Sequence, residues 1–207
     1  MRSDNPELDG VAQRHGMGSE LPDPTTGVAG VDANEADVIR CAQNGDRQAL
    51  GMLIRRYQKR VFGLGMRFFG NADDAEDLVQ DTFVRAWRSL DRFDVSRPFA
   101  PWLMRIAANR ALTEIATRKR RGGVELDENL VWDGPGADED AARREMQQAI
   151  ERALRELPDD QRMILLLRAS DGLSYRDISE ALEIPIGTVM SRLSRAREAM
   201  RKKMDRH

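Results

Sequence analysis

Four side chains near the carboxyl end, Thr188, Ser191, Arg192 and Arg195, recur at spacings of three and four. On a helix that spacing places them on one outward face, while Val189 and Leu193 turn inward. Hydroxyl and guanidinium groups so arranged suit the second helix of a helix-turn-helix, which must meet base edges in a major groove. Arg197, Arg201, Lys202 and Lys203 carry the surface on toward a phosphate backbone, where cations add affinity without sequence information. Residues 187–207 hold 7 basic and 2 acidic side chains. A second set, Asp77, Gln80, Asp81, Arg85 and Arg88, forms a polar ridge on a stretch whose other side is apolar, a surface fit for recognition by another helix.

These side chains need helices to position them, and the apolar spacing supplies helices. Ser174 caps a short helix with Ile178, Ala181 and Leu182 inward, residues 183–186 make the turn, and Gly187-Thr188 opens the second helix. Before it, Met146, Ile150, Ala153, Leu154 and Leu157 form one stripe that stops at Pro158, and residues 163–167 form a buried segment. The ridge helix starts at cap-type residues 71–74 and turns Leu78, Thr82, Phe83, Ala86, Trp87 and Leu90 inward. Pro98 and Pro101 open the next helix, with Trp102, Leu103, Ile106, Ala107, Ala111, Leu112 and Ile115 inward. The first helix begins near Asn34 or Asp37, pauses at Asn44-Gly45-Asp46 and resumes through Leu53, Tyr57, Val61 and Leu64. Cys41 falls on its apolar side and is expected to be a buried small hydrophobe. No strand candidate compares in strength, so the fold is expected to be all-α, two small helical domains joined by a flexible acidic linker.

The chain has 207 residues, of which 41% are hydrophobic, 33% charged and 5% aromatic. Its net charge of −2 conceals a sorting along the sequence: residues 38–70 carry 7 basic and 1 acidic side chains, 71–81 carry 0 and 5, 97–121 carry 7 and 1, and 122–142 carry 0 and 7. Basic blocks attract phosphate, and an acidic spacer is repelled by it. Residues 1–34 read as a disordered acidic tail and 122–142 as a linker. One cysteine and two histidines, at 15 and 207, leave neither a disulfide nor a Cys/His metal site. No cofactor is expected. The longest uncharged apolar stretch is far shorter than a membrane span and the first thirty residues are no secretory signal, so a cytoplasmic protein without membrane insertion is expected.

The chain resembles the bacterial extracytoplasmic-function (ECF) sigma factors, compact two-domain subunits of RNA polymerase, over residues 35–205 or so. The resemblance lies in Asp74-Ala75-Glu76-Asp77-Leu78-Val79-Gln80-Asp81-Thr82-Phe83-Val84-Arg85-Ala86-Trp87, then Pro98-Phe99-Ala100-Pro101-Trp102-Leu103-Met104-Arg105-Ile106-Ala107-Ala108-Asn109, then Leu157-Pro158-Asp159-Asp160-Gln161-Arg162, and the helix-turn-helix, in that order. It implies a sigma domain 2 at 35–121 that binds core RNA polymerase and the minus-ten promoter element, and a sigma domain 4 at 143–207 that reads the minus-thirty-five element. Asp77, Gln80 and Asp81 sit where the family docks on its polymerase. The loop and helix after Phe93 correspond to the pocket that captures unstacked bases. A reader of single strands needs cations for phosphate and polar and aromatic groups for bases. Arg97, Arg105, Asn109, Arg110 and Arg118 meet that need, with Phe99 and Trp102 assigned to the core. In domain 4 the implied contacts are Arg176, Thr188, Met190, Ser191, Arg192 and Arg195. An anti-sigma factor is the further implied partner.

Two positions depart from the family's pattern. Thr113, followed by Glu114, stands where an Asp is common, and Met190 stands where Arg or Lys is common. Met190 offers a thioether for a thymine methyl and no bidentate contact to guanine. The sequence holds no Cys/His pair, Gly-rich phosphate loop or metal cluster, so no enzymatic role is expected. The alternative to an initiation factor is a stand-alone helix-turn-helix regulator that binds duplex DNA directly.

Overall fold

The computed structural model describes residues 33–122, 141–169 and 171–205, all of them in helices, turns and short connections. The tail expected at 1–34 lies outside them except for its last two residues, and the linker at 122–142 lies outside them except at its ends.

Helix α1 spans Ala33–Gln43 and α2 spans Arg47–Phe69, separated by the pause at 44–46 that the sequence marks. Asp46 caps α2 by accepting from the amides of Gln48 and Ala49, and Gly70 ends it in the left-handed region at φ 86°, where a Cβ is disfavoured. Helix α3 (Ala72–Ser89) is capped by Asn71, whose side chain accepts from the Asp74 amide. A 3-10 turn (Leu90–Arg92) leads to α4 (Phe99–Arg120). Helices α1 to α4 bury Leu53, Val61, Leu64, Leu78, Phe83, Leu103 and Ala107 among themselves. Gly65 sets the closeness of α2 and α3, because a Cβ there would lie 2.8 Å from the Ala75 Cα.

The carboxyl half holds α5 (Ala141–Arg155), α6 (Asp159–Ala169), α7 (Tyr175–Leu182) and α8 (Ile186–Met204). Ser174 and Asp177 form a capping box at α7: the Ser174 hydroxyl accepts from the Asp177 amide at 3.1 Å and the Asp177 carboxylate accepts from the Ser174 amide at 3.0 Å. Glu183 ends α7 with φ 54°, and the chain turns into α8 three residues later, as expected of a helix-turn-helix.

The two halves pack on each other, and the hydrophobic core runs continuously from Ile39 to Ala196. Helix α7 lies against α4, and α6 lies against both α2 and α4. Arg162 of α6 is buried at 1% exposure with its guanidinium 4.5 Å from the Phe68 ring of α2. Asp171 is buried beside Arg60, whose Nε donates to it at 2.9 Å while a terminal nitrogen donates to its backbone carbonyl.

Several expected burials are corrected. Cys41 is exposed, because the seam of α1 runs through Ala36, Ile39 and Ala42 and the residue before Ala42 points away from it. Trp87 is 39% exposed, since Phe83, Ala86 and Leu90 already fill the contact of α3 with its neighbours. Met146 and Ile150 of α5 are 56% and 40% exposed; Ala149, Ala153 and Leu154 carry the buried side.

Candidate nucleic-acid and protein interfaces

On α3, Asp77 and Gln80 are exposed and Asp81 is half-buried, while Ala75, Leu78, Thr82 and Phe83 face the core. Asp81 is committed to α4: it accepts from the Arg110 Nε at 2.5 Å. Arg110 also donates to Glu114 at 2.8 Å, Arg118 donates to Glu114 at 2.9 Å, and Arg118 grips both oxygens of Asp74 at 2.5 Å. Asp81, Arg110, Glu114, Arg118 and Asp74 thus form one ladder of alternating charge between α3 and α4. The Arg118 guanidinium holds the Asp74 carboxyl below its ordinary range, and Arg118 with Arg110 does the same to Glu114. The structure brings a residue expected to face polymerase together with two expected to face DNA, and gives all three a partner in each other or in neighbouring carboxylates.

The ridge has an apolar continuation that the sequence reading missed. Val84, 48% exposed, and Trp87 lie four and seven residues after Gln80, so they share its face. That spacing was the available signal. Beside the ridge, Gln80, Glu76, Val79, Phe62, Arg60 and Asp171 line an open groove of about 910 Å³. Burial pushes the Asp171 carboxyl up, with Arg60 opposing it, and one of its oxygens has no hydrogen bond.

The loop after Phe93 is held by Asp94, which accepts from the Ser96 amide at 2.9 Å and the Ser96 hydroxyl at 2.7 Å. Phe93, Phe99 and Trp102 stack into one cluster, with centroid separations of 4.8 to 5.5 Å, and Tyr57 joins it at 5.3 Å from Phe99. Phe99 is buried, as expected, and Trp102 is half-buried. Trp102, Arg97, Pro101 and Arg105 form one wall of a cleft of about 250 Å³, and Asp177, Glu180 and Ala181 of α7 form the other. Arg97 donates to Glu180 at 2.8 Å and Arg105 to Glu183 at 3.5 Å. Asn109 is half-buried in mid-helix, with its carbonyl accepting from the Thr113 hydroxyl at 2.7 Å.

In the helix-turn-helix, Val189, Leu193 and Ala196 anchor α8, leaving Met190, Ser191 and Arg195 exposed and Thr188 and Arg192 half-buried. Arg195 lies 3.5 Å from the Ser191 hydroxyl, Arg192 pairs with Asp160 of α6 at 3.3 Å, and Arg176 donates to Glu180 at 3.2 Å. Ile186, 50% exposed at the start of α8, adds an exposed apolar side chain that the sequence reading did not include.

No helix among the described residues is long and apolar enough to cross a membrane. Residues 53–121 match the family model for sigma-70 region 2, and residues 147–200 match that for sigma-70 region 4. The chain is 35% identical to the RNA polymerase sigma-H factor of Pseudomonas aeruginosa over 178 residues, covering 81% of this chain and 92% of that protein. It is 33% identical to the ECF RNA polymerase sigma factor SigW of Bacillus subtilis over 176 residues, covering 80% and 94%. The ECF RNA polymerase sigma-E factor of Escherichia coli is 36% identical over 177 residues, at 81% and 92% coverage. Among solved structures, the sigma factor RpoE of Bartonella quintana, in complex with the anti-sigma factor NepR, is 27% identical with a TM-score of 0.64, over 75% of this chain and 96% of that one. CnrH in complex with the cytosolic domain of CnrY is 29% identical with a TM-score of 0.60, over 83% and 97%. Two sigma-70 regions in order, a helix-turn-helix in the second, and similarity to ECF sigma factors over about four-fifths of the chain lead to one conclusion: the chain belongs to the extracytoplasmic-function sigma factors and is a transcription initiation factor that directs RNA polymerase to promoters.

Proposed function

We propose that residues 35–121 form the unit that docks on core RNA polymerase and helps to melt the minus-ten element, and that residues 143–207 form the unit that reads the minus-thirty-five element. The observation that carries the docking assignment is the stripe Asp77, Gln80, Val84 and Trp87, exposed on α3 while the opposite face of the same helix is buried. Polar groups at one end fix orientation, and the apolar end supplies area that is desolvated on contact. Asp81 contributes by setting the tilt of α3 against α4 through Arg110.

On the DNA side, Arg97 and Arg105 beside Trp102 are suited to phosphates and stacked bases of a separated strand, with Asn109 further along α4. Arg110 and Arg118 join them only by exchanging their carboxylate partners for phosphate. Ser191 and Arg195 face outward for base edges, Met190 and Thr188 offer contacts to thymine methyls, and Arg192 and Arg176 flank them. The chain would contribute binding and strand separation rather than bond-making chemistry, in the cytoplasm where the polymerase works. Because the Bartonella relative is held by an anti-sigma factor, this chain is expected to have one as well.

Run-off transcription with purified bacterial core polymerase, the full chain and the DNA upstream of its own gene tests this reading. Transcripts that require the chain are expected, and the double variant Gln80→Ala, Trp87→Ala is expected to lose about tenfold in core affinity, as for removal of interface anchors. A full chain that binds promoter duplex and fails to bind core would overturn it in favour of a stand-alone regulator.

A further inference from the structure

Helix α2 carries six cations, Arg47, Arg55, Arg56, Lys59, Arg60 and Arg67, and not one acid. Arg55 and Lys59 stand four apart, where like charges repel along a helix. Three of the six are answered: Arg56 pairs with Glu35 at 3.5 Å, Arg60 pairs with Asp171 at 2.9 Å, and Arg67 lies in the field of Asp171 and Glu151. Arg47, Arg55 and Lys59 share another face of the helix, are exposed, and have no carboxylate in ion-pair range among the described residues. Lys59 is singular in this, since of the chain's four lysines Lys119 holds Asp159, Lys202 holds Glu198 and Lys203 holds Glu156. The surfaces assigned above to polymerase and DNA use none of the three cations.

The face continues into the open groove beside the ridge, where Lys59 and Phe62 of α2 meet Val79 and Gln80 of α3. An occupant needs carboxylates for the cations and an apolar group for Phe62 and Val79. The chain holds such a segment at its own amino end. Residues 1–32 contain 6 acidic and 2 basic side chains, and Glu20-Leu21-Pro22-Asp23 sets two acids around a leucine. The point of entry lies on α2: Glu35, buried at the start of α1, accepts from the Tyr57 hydroxyl and pairs with Arg56. Asp23 precedes Ala33 by ten residues, a tether that spans about 17 Å on average, and Tyr57 to Gly63 is about 9 Å along the helix axis.

We propose that residues 1–32 dock on the Arg55–Lys59 face of α2, with Glu20 and Asp23 on the cations and Leu21 against Phe62 and Val79. Glu76 of α3 keeps the acids on the α2 side of the groove. Tethering raises the local concentration of the segment to about the millimolar range, so exposed ion pairs that are weak singly hold it at low salt. Gln80 belongs both to this groove and to the ridge assigned to polymerase, so the docked segment lies at the edge of that surface.

Carbodiimide coupling of the full chain tests the proposal. The reagent condenses a lysine ammonium with a carboxylate to an amide, itself taking up the water, and joins only groups in contact. At about 50 mM salt, peptide mapping of the monomeric product by mass spectrometry is expected to show Lys59 joined to Glu20 or Asp23 at yields about threefold or more above links from the other three lysines to residues 1–32, fading toward about 0.5 M salt. Arg55→Gln, at an exposed position that leaves Lys59 in place, is expected to lower the yield about twofold. No link between Lys59 and residues 1–32, or an even spread of such links over all four lysines, overturns the proposal. The effect on polymerase is read separately and rests on the docking assignment made above: Glu20→Gln with Asp23→Asn is expected to tighten core binding about two- to fivefold, and to leave it unchanged when Arg55→Gln and Lys59→Gln are also present. Links at Lys59 without that gain keep the segment on α2 and outside the polymerase contact, whereas failure of the docking assignment itself shows as core affinity unmoved by Gln80→Ala with Trp87→Ala.

Discussion

The guanidinium of Arg162 lies 4.5 Å from the centre of the Phe68 ring, joining α6 to α2 across more than ninety residues of sequence. Arg162 donates to Asp159 at 2.8 Å, and its Nε and one terminal nitrogen have no partner. Burial drives its pKa down, so the charge is costly where it sits. Replacing a buried ion with an apolar side chain of similar volume is often neutral, whereas truncation leaves a cavity; in either case Asp159 keeps Lys119 as its partner. Arg162→Met is therefore expected to change stability by no more than about 1 kcal/mol, and Arg162→Ala to cost about 3 kcal/mol. Urea unfolding of the two variants checks this; equal losses would mean that the charge itself, and not the packed volume, holds the site.

The ladder between α3 and α4 predicts an acid-dependent stability. The carboxyls of Asp74 and Glu114 titrate below their unfolded values because Arg118 and Arg110 stabilise their charged forms. Their contribution is full above the unfolded values near pH 4 and is lost as the pH falls through the lower folded values. Asp171 works in the opposite sense: its folded value is raised by burial, so its contribution is present in acid and lost as the pH rises through that value. Asp74→Asn is expected to cost about 1–2 kcal/mol at pH 7, with the gap to the native chain narrowing below about pH 4. Thermal melts across pH 2–7 measure it, and a gap independent of pH would mean that the Asp74–Arg118 pair does not supply the stability.

Gly65→Ala should destabilise even though alanine is the better helix former by about 1 kcal/mol. The new Cβ would meet the Ala75 Cα at 2.8 Å and the Ala75 Cβ at 2.9 Å, both too close and neither able to rotate away. Separating α2 from α3 to relieve the overlap costs about 1–3 kcal/mol, as overpacking of a core does. Because α3 carries the docking stripe, core-polymerase affinity is expected to fall together with the melting temperature. A chain as stable as the native one would show that the two helices are not pinned at this crossing.

What was readable in the sequence was local. Ser174, the pause at Asn44-Gly45-Asp46 and the cap-type residues from Asn71 announce helix starts through their own chemistry, and each start lies where those residues place it. The inward set of α4 was readable for the same reason, since a three-to-four spacing repeats over several turns. Cys41 and Trp87 were misplaced because a stripe fixes the middle of a buried face and not its margins, and both sit at a margin. The packing of the halves left no local trace. Arg60 and Asp171 are 111 residues apart, and a buried arginine such as Arg162 looks in sequence like any surface cation. The pairing of DNA-assigned arginines with carboxylates was hidden likewise, because Arg97 and Glu180 meet only across that interface.

The recognition helix separates two kinds of cation that titration against salt distinguishes. Arg201 and Lys202 lie on the last exposed turns of α8, far from its amino-terminal half, and are expected to touch only phosphate. Removing both should weaken binding to any duplex and lower the slope of log affinity against log salt by about 2, roughly 0.9 for each lost contact. Arg195 stands with Ser191 on the face expected to meet base edges, so Arg195→Ala should cost about 1–3 kcal/mol on the promoter duplex and far less on a scrambled one. Arg192 is tied to Asp160 at 3.3 Å, so Asp160→Asn should release it and tighten promoter binding slightly, the reverse of Arg192→Ala. Fluorescence anisotropy with both duplexes over a salt series gives all four results. A loss of sequence preference on removing Arg201 and Lys202, with Arg195→Ala affecting both duplexes equally, would move the reading surface to the other end of α8.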